Sequence, residues 1–380
     1  MFDARYRLKL DLQRRSGLYR NPLPIDRRDG KYIYSHGTRL INMASNDYLG
    51  LGTSSSLRRK VADNFKRYGS SSSSSRLVAG NFRLLNEAEK AYADYFGYEE
   101  ALFFPSGYQA NMGVLATLFE AGDRVLFDKH IHVSSVKGLK LAGATLYGYN
   151  HNCFSHLEKR LPGGPKQAAV VTESLFSMDG DALDVQALWA LKQRYGFMCV
   201  VDEAHAFGAL GPGGRGLARD VADVAVGTFG KALGLFGALV LLSAELKDFL
   251  LNFSSPLIYT TALPEAHAAS AFDVLEQMAQ CRAERRSLSE LSRWLRGQLR
   301  DAGFSVSGDA HIVALEIGDE AAAVQTAQRL YASGFFVLPA RYPTVPLQRA
   351  ILRVSLTCLH TQADAAQFMD ALKEAYAPHA

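Results

Sequence analysis

The stretch FMCVVDEAH ends an apolar run in Asp202, with His205 three residues further on. A buried carboxylate costs several kcal/mol unless a cation or a donor meets it, so an acid at the end of a buried strand calls for a partner. Taken alone, Asp202 is equally well a salt-bridge residue or a helix N-cap. The next apolar segment changes the reading. VAVGTFGKALG leads to Lys231, set between Gly230 and Gly234, which let backbone and ligand approach closely. The two residues lie about thirty positions apart, and strand ends in adjacent βα units open into one cleft at the carboxyl edge of a sheet. In such a cleft a lysine amine can form a Schiff base with an aldehyde. An acid facing a pyridine nitrogen keeps that nitrogen protonated, which makes the ring an electron sink.

Pyridoxal 5′-phosphate (PLP) requires both groups, and its phosphate requires backbone N–H groups and hydroxyls at a helix start. FFPSGYQAN offers Ser106, Gly107 and Tyr108 directly after an apolar run and before a helical pattern, and Thr228 supplies a second hydroxyl. By itself SGY reads as a plain strand-to-helix turn. It gains weight only beside Asp202 and Lys231.

These residues need a frame. Between about Ala101 and Leu242, ALFF, DRVLF, ATLYGY, AAVVTE, FMCVVDE, DVAVGT and FGALVLL alternate with helical patterns. Short apolar or β-branched runs alternating in this way predict βαβ crossovers and a mainly parallel sheet covered on both faces. Glu265 to about Ala302 reads as helix. HIVALEI, GFFVLP and ILRVSL then read as strands, with helices near Glu320–Tyr331 and Gln362–Tyr376. The expected organisation is an N-terminal arm (1–45), a large α/β domain (46–275) and a small C-terminal α+β domain (276–380). The serine run from Gly69 to Ser75 is short and lies between two helical stretches, so it predicts a loop within one domain. Gly80 and Asn81 nearby tolerate positive φ, which predicts a tight turn.

Composition sets bounds on partners. Among 380 residues, 48% are hydrophobic and 21% charged, with a net charge of +4. Those are ordinary globular values for a chain that is expected to hold two or three domains, and they point to neither a nucleic-acid surface nor a membrane surface. Cys153, Cys199, Cys281 and Cys358 form no CxxC pair, which speaks against a metal site or a disulfide framework and for a reducing compartment. The longest apolar run, FGALVLL, is far too short to span a bilayer, and the start MFDARYRLKLDLQRR lacks the apolar core of a secretory signal. A cytoplasmic location is expected.

Nine motifs now stand in order: SNDYLGL, FFPSGYQAN, DKHIHVS, VVTESLFSMDGD, VVDEAHAFG, GGRG, TFGKALG, IYTTALP, and YPTVP with ILRVSLT. In order and spacing they resemble the α-oxoamine synthases, fold type I PLP enzymes that condense an amino acid with an acyl thioester and release CO2. The resemblance runs from about Arg20 to the C-terminal helix. It implies a homodimer and an acyltransferase, and it assigns roles residue by residue. Lys231 matches the lysine that binds the cofactor aldehyde, Asp202 the partner of the pyridine nitrogen, and His132 the histidine that stacks on the ring. His205 and Ser177 match groups near the phenolic oxygen. Gly107, Tyr108 and Thr228 match the phosphate site, which Thr261 reaches across a dimer interface. Asn46 and Arg353 match the pair that holds the amino-acid carboxylate, a task suited to a guanidinium fork. Arg20, Ser75 and Thr344 match substrate-contact positions. Three departures concern substrate rather than cofactor: GSSSSSSR replaces a glycine-rich loop, Leu235-Phe236 replaces smaller residues, and LQRAI lacks the usual Gly-Thr.

Overall fold

The computed structural model describes residues 2–161 and 168–376. Its contacts divide the chain into two compact units. One comprises residues 1–48, 178–181 and 286–380, and the other residues 49–177 and 182–285.

In the first unit the chain opens with a helix, Phe2–Arg15, that buries none of its residues. β1 (Arg27–Asp29), β2 (Tyr32–Ser35) and β3 (Thr38–Asn42) follow as an antiparallel meander.

The second unit is built on seven strands: β4 (Glu100–Phe104), β5 (Arg124–Asp128), β6 (Thr145–Tyr149), β7 (Ala168–Glu173), β8 (Met198–Asp202), β9 (Val224–Thr228) and β10 (Ala238–Leu242). Each answers to one of the seven apolar runs. Their spatial order is β4-β10-β9-β8-β7-β5-β6, and the pairs from β9 to β6 are parallel, while β10 runs antiparallel to both its neighbours. The strands read as unbroken apolar runs because helices cover both faces: all five residues of β10 are buried. Leu102, Val114, Val125, Val171, Val200, Val226 and Val240 belong to one core cluster.

The first unit resumes with β11 (Val306–Ser307), β12 (Ile312–Gly318), β13 (Phe335–Phe336), β14 (Leu338–Ala340) and β15 (Ala350–Ser355). β11-β12-β15-β14 form an antiparallel sheet, and β13 joins the meander by pairing parallel to β3. The helices expected near 320–331 and 362–376 are present as Glu320–Ala332 and Gln362–Tyr376. The helical region from Glu265 is two helices, Glu265–Gln280 and Arg282–Asp301, which meet at Cys281.

The serine run forms a loop inside the second unit. The expectation of positive φ at Gly80 and Asn81 is corrected: the positive-φ residues here are Gly69 and Ser73. Gly80 is small for a different reason. A Cβ on it would stand 2.7 Å from the Ser74 carbonyl oxygen and 2.9 Å from that of Ser75.

Candidate active site

Within the second unit, β7 and β8 finish in step, and β9 runs on past them to Thr228. Glu173 pairs with Asp202, and Asp202 with Val226. The structure corrects one expectation at this edge: Lys231 is not followed by a βα crossover. After Thr228 the chain turns back into the antiparallel β10, so Lys231 sits on a tight turn. Phe229 N–H donates to Gly237 O at 2.9 Å, Leu235 N–H to Phe229 O at 2.9 Å and Gly234 N–H to Lys231 O at 3.0 Å. The turn is closed by its own backbone bonds, so the lysine is presented by a rigid support.

Lys231 Nζ lies 2.7 Å from Nε2 of the buried His205. Asp202 is held on both oxygens: Asn111 Nδ2 donates to Oδ2 at 2.7 Å, and Ala204 N–H donates to Oδ1 at 2.9 Å. His132 caps the helix Val133–Ala142, its backbone N–H donating to Glu173 Oε1 at 2.5 Å. The surrounding protein lowers the His132 imidazole below its ordinary range; the Asp202 charge pulls it up and the Lys231 charge pushes it down. Glu173, 2% exposed, is pushed well above the usual carboxylate range by burial and by Asp202 beside it, against the pull of Lys231 and the N–H groups of His132 and Ser177. The charges of Asp202 and Lys231 thus act on both His132 and Glu173.

Glu203 follows Asp202 and points into protein. It is 1% exposed and accepts from Ser174 Oγ at 2.5 Å, Ala218 N–H at 2.6 Å and Leu217 N–H at 3.0 Å. Burial raises it to about 7, against these donors. It ties the GGRG loop to the end of β8.

The helix Gly107–Leu118 starts directly after β4, with Ser106 as its N-cap accepting from Gln109 N–H at 3.3 Å. Among the described residues the N–H groups of Gly107 and Tyr108 take no partner, as expected for the first turn of a helix. Thr228 is adjacent: a Cβ on Gly107 would stand 3.9 Å from its Oγ1. Two unpaired N–H groups at a helix start, with a hydroxyl beside them, suit a phosphate. The amine, the fixed carboxylate, the imidazole and the helix start are the donor set that PLP needs, and the residues present fit it.

Ser75 and Thr261 face each other across an antiparallel bridge. The loop is pinned there, with Ala262 N–H donating to Ser74 O at 2.9 Å and Ser72 Oγ to Ala262 O at 2.7 Å. Arg76, which ends the run, is buried and pairs with the buried Glu89, Nη1 to Oε1 at 2.5 Å.

In the first unit, Arg353 on β15 is 3% exposed. Its Nη1 donates to Ser355 Oγ at 2.6 Å and its Nη2 to Asn46 Oδ1 at 3.3 Å, so the structure brings together the residues expected to act as a pair. Tyr48 Oη donates to the same Asn46 oxygen at 3.1 Å, and burial pushes Tyr48 up to about 12, which keeps it a donor. Arg20 and Thr344 are exposed, Arg20 in the irregular segment before β1 and Thr344 in the turn after β14. Sequence reasoning missed Asn111, Ser134, Glu173 and Glu203. A signal existed for Asn111, a buried-face amide one helical turn after Gly107 in a mostly apolar helix.

The family model for aminotransferase class I and II matches residues 38–372. The chain belongs to that family. Within it, the relatives are α-oxoamine synthases. The chain is 40% identical over 343 residues to 8-amino-7-oxononanoate synthase of Chlorobaculum parvum, an alignment covering 87% of this chain and 88% of the relative. Serine palmitoyltransferase of Sphingomonas wittichii has a similar structure, with a TM-score of 0.91, 29% identity and coverage of 98% of this chain and 96% of that one. So has 8-amino-7-oxononanoate synthase of Francisella tularensis, with a TM-score of 0.78, 28% identity and coverage of 88% and 97%. The fold is that of fold type I PLP transferases, as the motifs implied.

Proposed function

We propose that the protein is a PLP-dependent acyltransferase that joins L-alanine to a pimeloyl thioester, giving 8-amino-7-oxononanoate, CO2 and the free thiol, a step of biotin synthesis. The observation that carries this reading is the lysine–histidine pair at 2.7 Å beside the held Asp202, in a chain 40% identical to a relative named for that reaction. PLP, when bound, supplies a sink for the electrons left at the amino acid's α-carbon. Lys231 Nζ would hold the cofactor, and the same nitrogen, when free, would take the α-proton of the amino acid. Asp202 holds the proton on the pyridine nitrogen, where each pKa unit of preference is worth about 1.4 kcal/mol. His132 would cover the ring, and His205 and Ser177 would serve its phenolic oxygen. Gly107, Tyr108 and Thr228 bind the phosphate. Arg353 and Asn46 take the amino-acid carboxylate, which leaves as CO2 only after the new carbon–carbon bond has formed. Arg20, Ser75 and Thr344 contact substrate, Arg20 as the cation for the far carboxylate of a pimeloyl chain.

The working form in this proposal is a cytoplasmic homodimer in which Thr261 completes the neighbouring subunit's phosphate site, with the arm over 1–45, the cofactor domain over 46–275 and the small domain over 276–380 as its functional parts. A second reading, a synthase of a longer-chain aminoketone, is favoured by the likeness to serine palmitoyltransferase. Product masses from a matrix of amino acids and acyl thioesters separate the two. The proposal requires 8-amino-7-oxononanoate from alanine and pimeloyl thioester. Preference for a methyl-terminated chain moves the function to the second reading, and amino-group exchange with keto acids without condensation identifies an aminotransferase.

A further inference from the structure

We infer that Asn111 and Ser134 are positioning residues that lock the His132 imidazole in its neutral Nε2–H tautomer while holding the Asp202 carboxylate in place. The inference rests on the proposed function only for what His132 and Asp202 face; the lock itself follows from where each hydrogen must point.

It begins with a close helix contact. The helix Val133–Ala142 packs on the helix Gly107–Leu118 at Gly138, where a Cβ would stand 2.9 Å from the Asn111 carbonyl oxygen and 3.0 Å from Leu115 Cβ. That approach brings the buried Ser134 Oγ to 3.0 Å from Asn111 Nδ2. The same Nδ2 lies 2.7 Å from Asp202 Oδ2. An ionised carboxylate only accepts, so the amide must turn its nitrogen, not its oxygen, toward Asp202. Both amide hydrogens are then spent, one on Asp202 and one on Ser134.

Ser134 Oγ accepts from Asn111, and its own hydrogen is left for His132 Nδ1, 2.6 Å away. The Ser134 backbone N–H donates to the same Nδ1 at 3.3 Å. A ring nitrogen that receives two donors carries no hydrogen, so the proton of the neutral ring is on Nε2. Electrostatics agree in part. The helix start that His132 caps, the positive charge of Lys231 and the surrounding protein all disfavour an imidazolium, while Asp202 favours one and Glu173 grips the backbone N–H at 2.5 Å. One hydrogen-bonded line therefore ties the group proposed to hold the ring nitrogen to the ring proposed to cover the cofactor. A neutral His132 would add no second positive charge beside a cofactor whose pyridine nitrogen Asp202 keeps protonated.

The test is the 15N spectrum of histidine-labelled, cofactor-loaded, full-length protein across a pH series, with the His132 signals among the ten histidines assigned by their loss in His132→Asn. The wild type should show an unprotonated Nδ1 and a protonated Nε2 at neutral pH. In Ser134→Ala, Nδ1 loses one of its two donors, so the ring should become a mixture of tautomers and take up a proton at higher pH than in the wild type. Its kcat/KM should fall about tenfold, one hydrogen bond's worth. A protonated Nδ1 in the wild type overturns the inference, as does a Ser134→Ala ring with unchanged tautomer and titration. Cofactor-free full-length chain gives the same tautomer readout, so a failure of the lock and a failure of the proposed reaction are separate results.

Discussion

Replacing Arg353 by alanine should raise the KM for the amino acid and leave the KM for the acyl thioester nearly unchanged. The guanidinium is held by Ser355 Oγ at 2.6 Å and Asn46 Oδ1 at 3.3 Å, with the Tyr48 phenol beside it, so its plane is fixed before substrate arrives. A charge-assisted contact of this kind is worth about 1.5–3 kcal/mol, which corresponds to roughly 10- to 150-fold in kcat/KM for the amino acid. Arg353→Lys keeps the charge but not the fork, and its loss should fall toward the lower end of that range. Circular dichroism and a thermal melt check that the variants stay folded. The assay is steady-state kinetics with each substrate varied in turn. An unchanged amino-acid KM in folded Arg353→Ala would refute the carboxylate assignment, and equal losses for both substrates would show a general structural defect instead.

Three further outcomes are expected. The folded-state pKa of Glu203, about 7 against 4.5 for the ordinary side chain, means that the folded state binds this proton more tightly. The stability this gives is complete below about pH 4.5 and is lost as pH rises to about 7, an effect of about 3 kcal/mol. Glu203→Gln, whose amide can donate to Ser174 Oγ and accept from Leu217 and Ala218, should remove that pH dependence from urea unfolding curves; curves parallel to the wild type would contradict it. Glu89→Ala leaves Arg76 buried without its carboxylate and should cost about 3–5 kcal/mol in the same assay, with a loss below 1 kcal/mol ruling out a structural pair. Mixing Lys231→Ala with Thr261→Ala subunits should restore one working site per mixed dimer, and no recovery after verified exchange would count against a shared phosphate site.

The sheet was legible because both its faces are covered. Strands such as ALVLL, buried at every position, stand out as unbroken apolar runs between turn residues. Asp202 and Lys231 were legible for the opposite reason, as charges where the apolar pattern stops. What stayed hidden depends on contacts between elements distant in sequence. Glu173 reads as the last residue of AAVVTE until β7 and β8 are paired and place it beside Asp202. Asn111 and Ser134 meet only because Gly138 lets two helices approach. The helix Phe2–Arg15 carries a mixed pattern and buries nothing, so no periodicity announced it. Gly80 was noticed for the wrong property, since its small size and not its φ range is what the loop uses.

The central claim is that Lys231 carries the cofactor. Borohydride reduction of the PLP-loaded protein, followed by peptide mapping, tests it most directly, because reduction turns the lysine–aldehyde linkage into a stable adduct at the residue that holds it. The wild type should carry one pyridoxyl adduct, on the peptide containing Lys231, and folded Lys231→Ala should carry none. An adduct on any other lysine of the wild type would contradict the account.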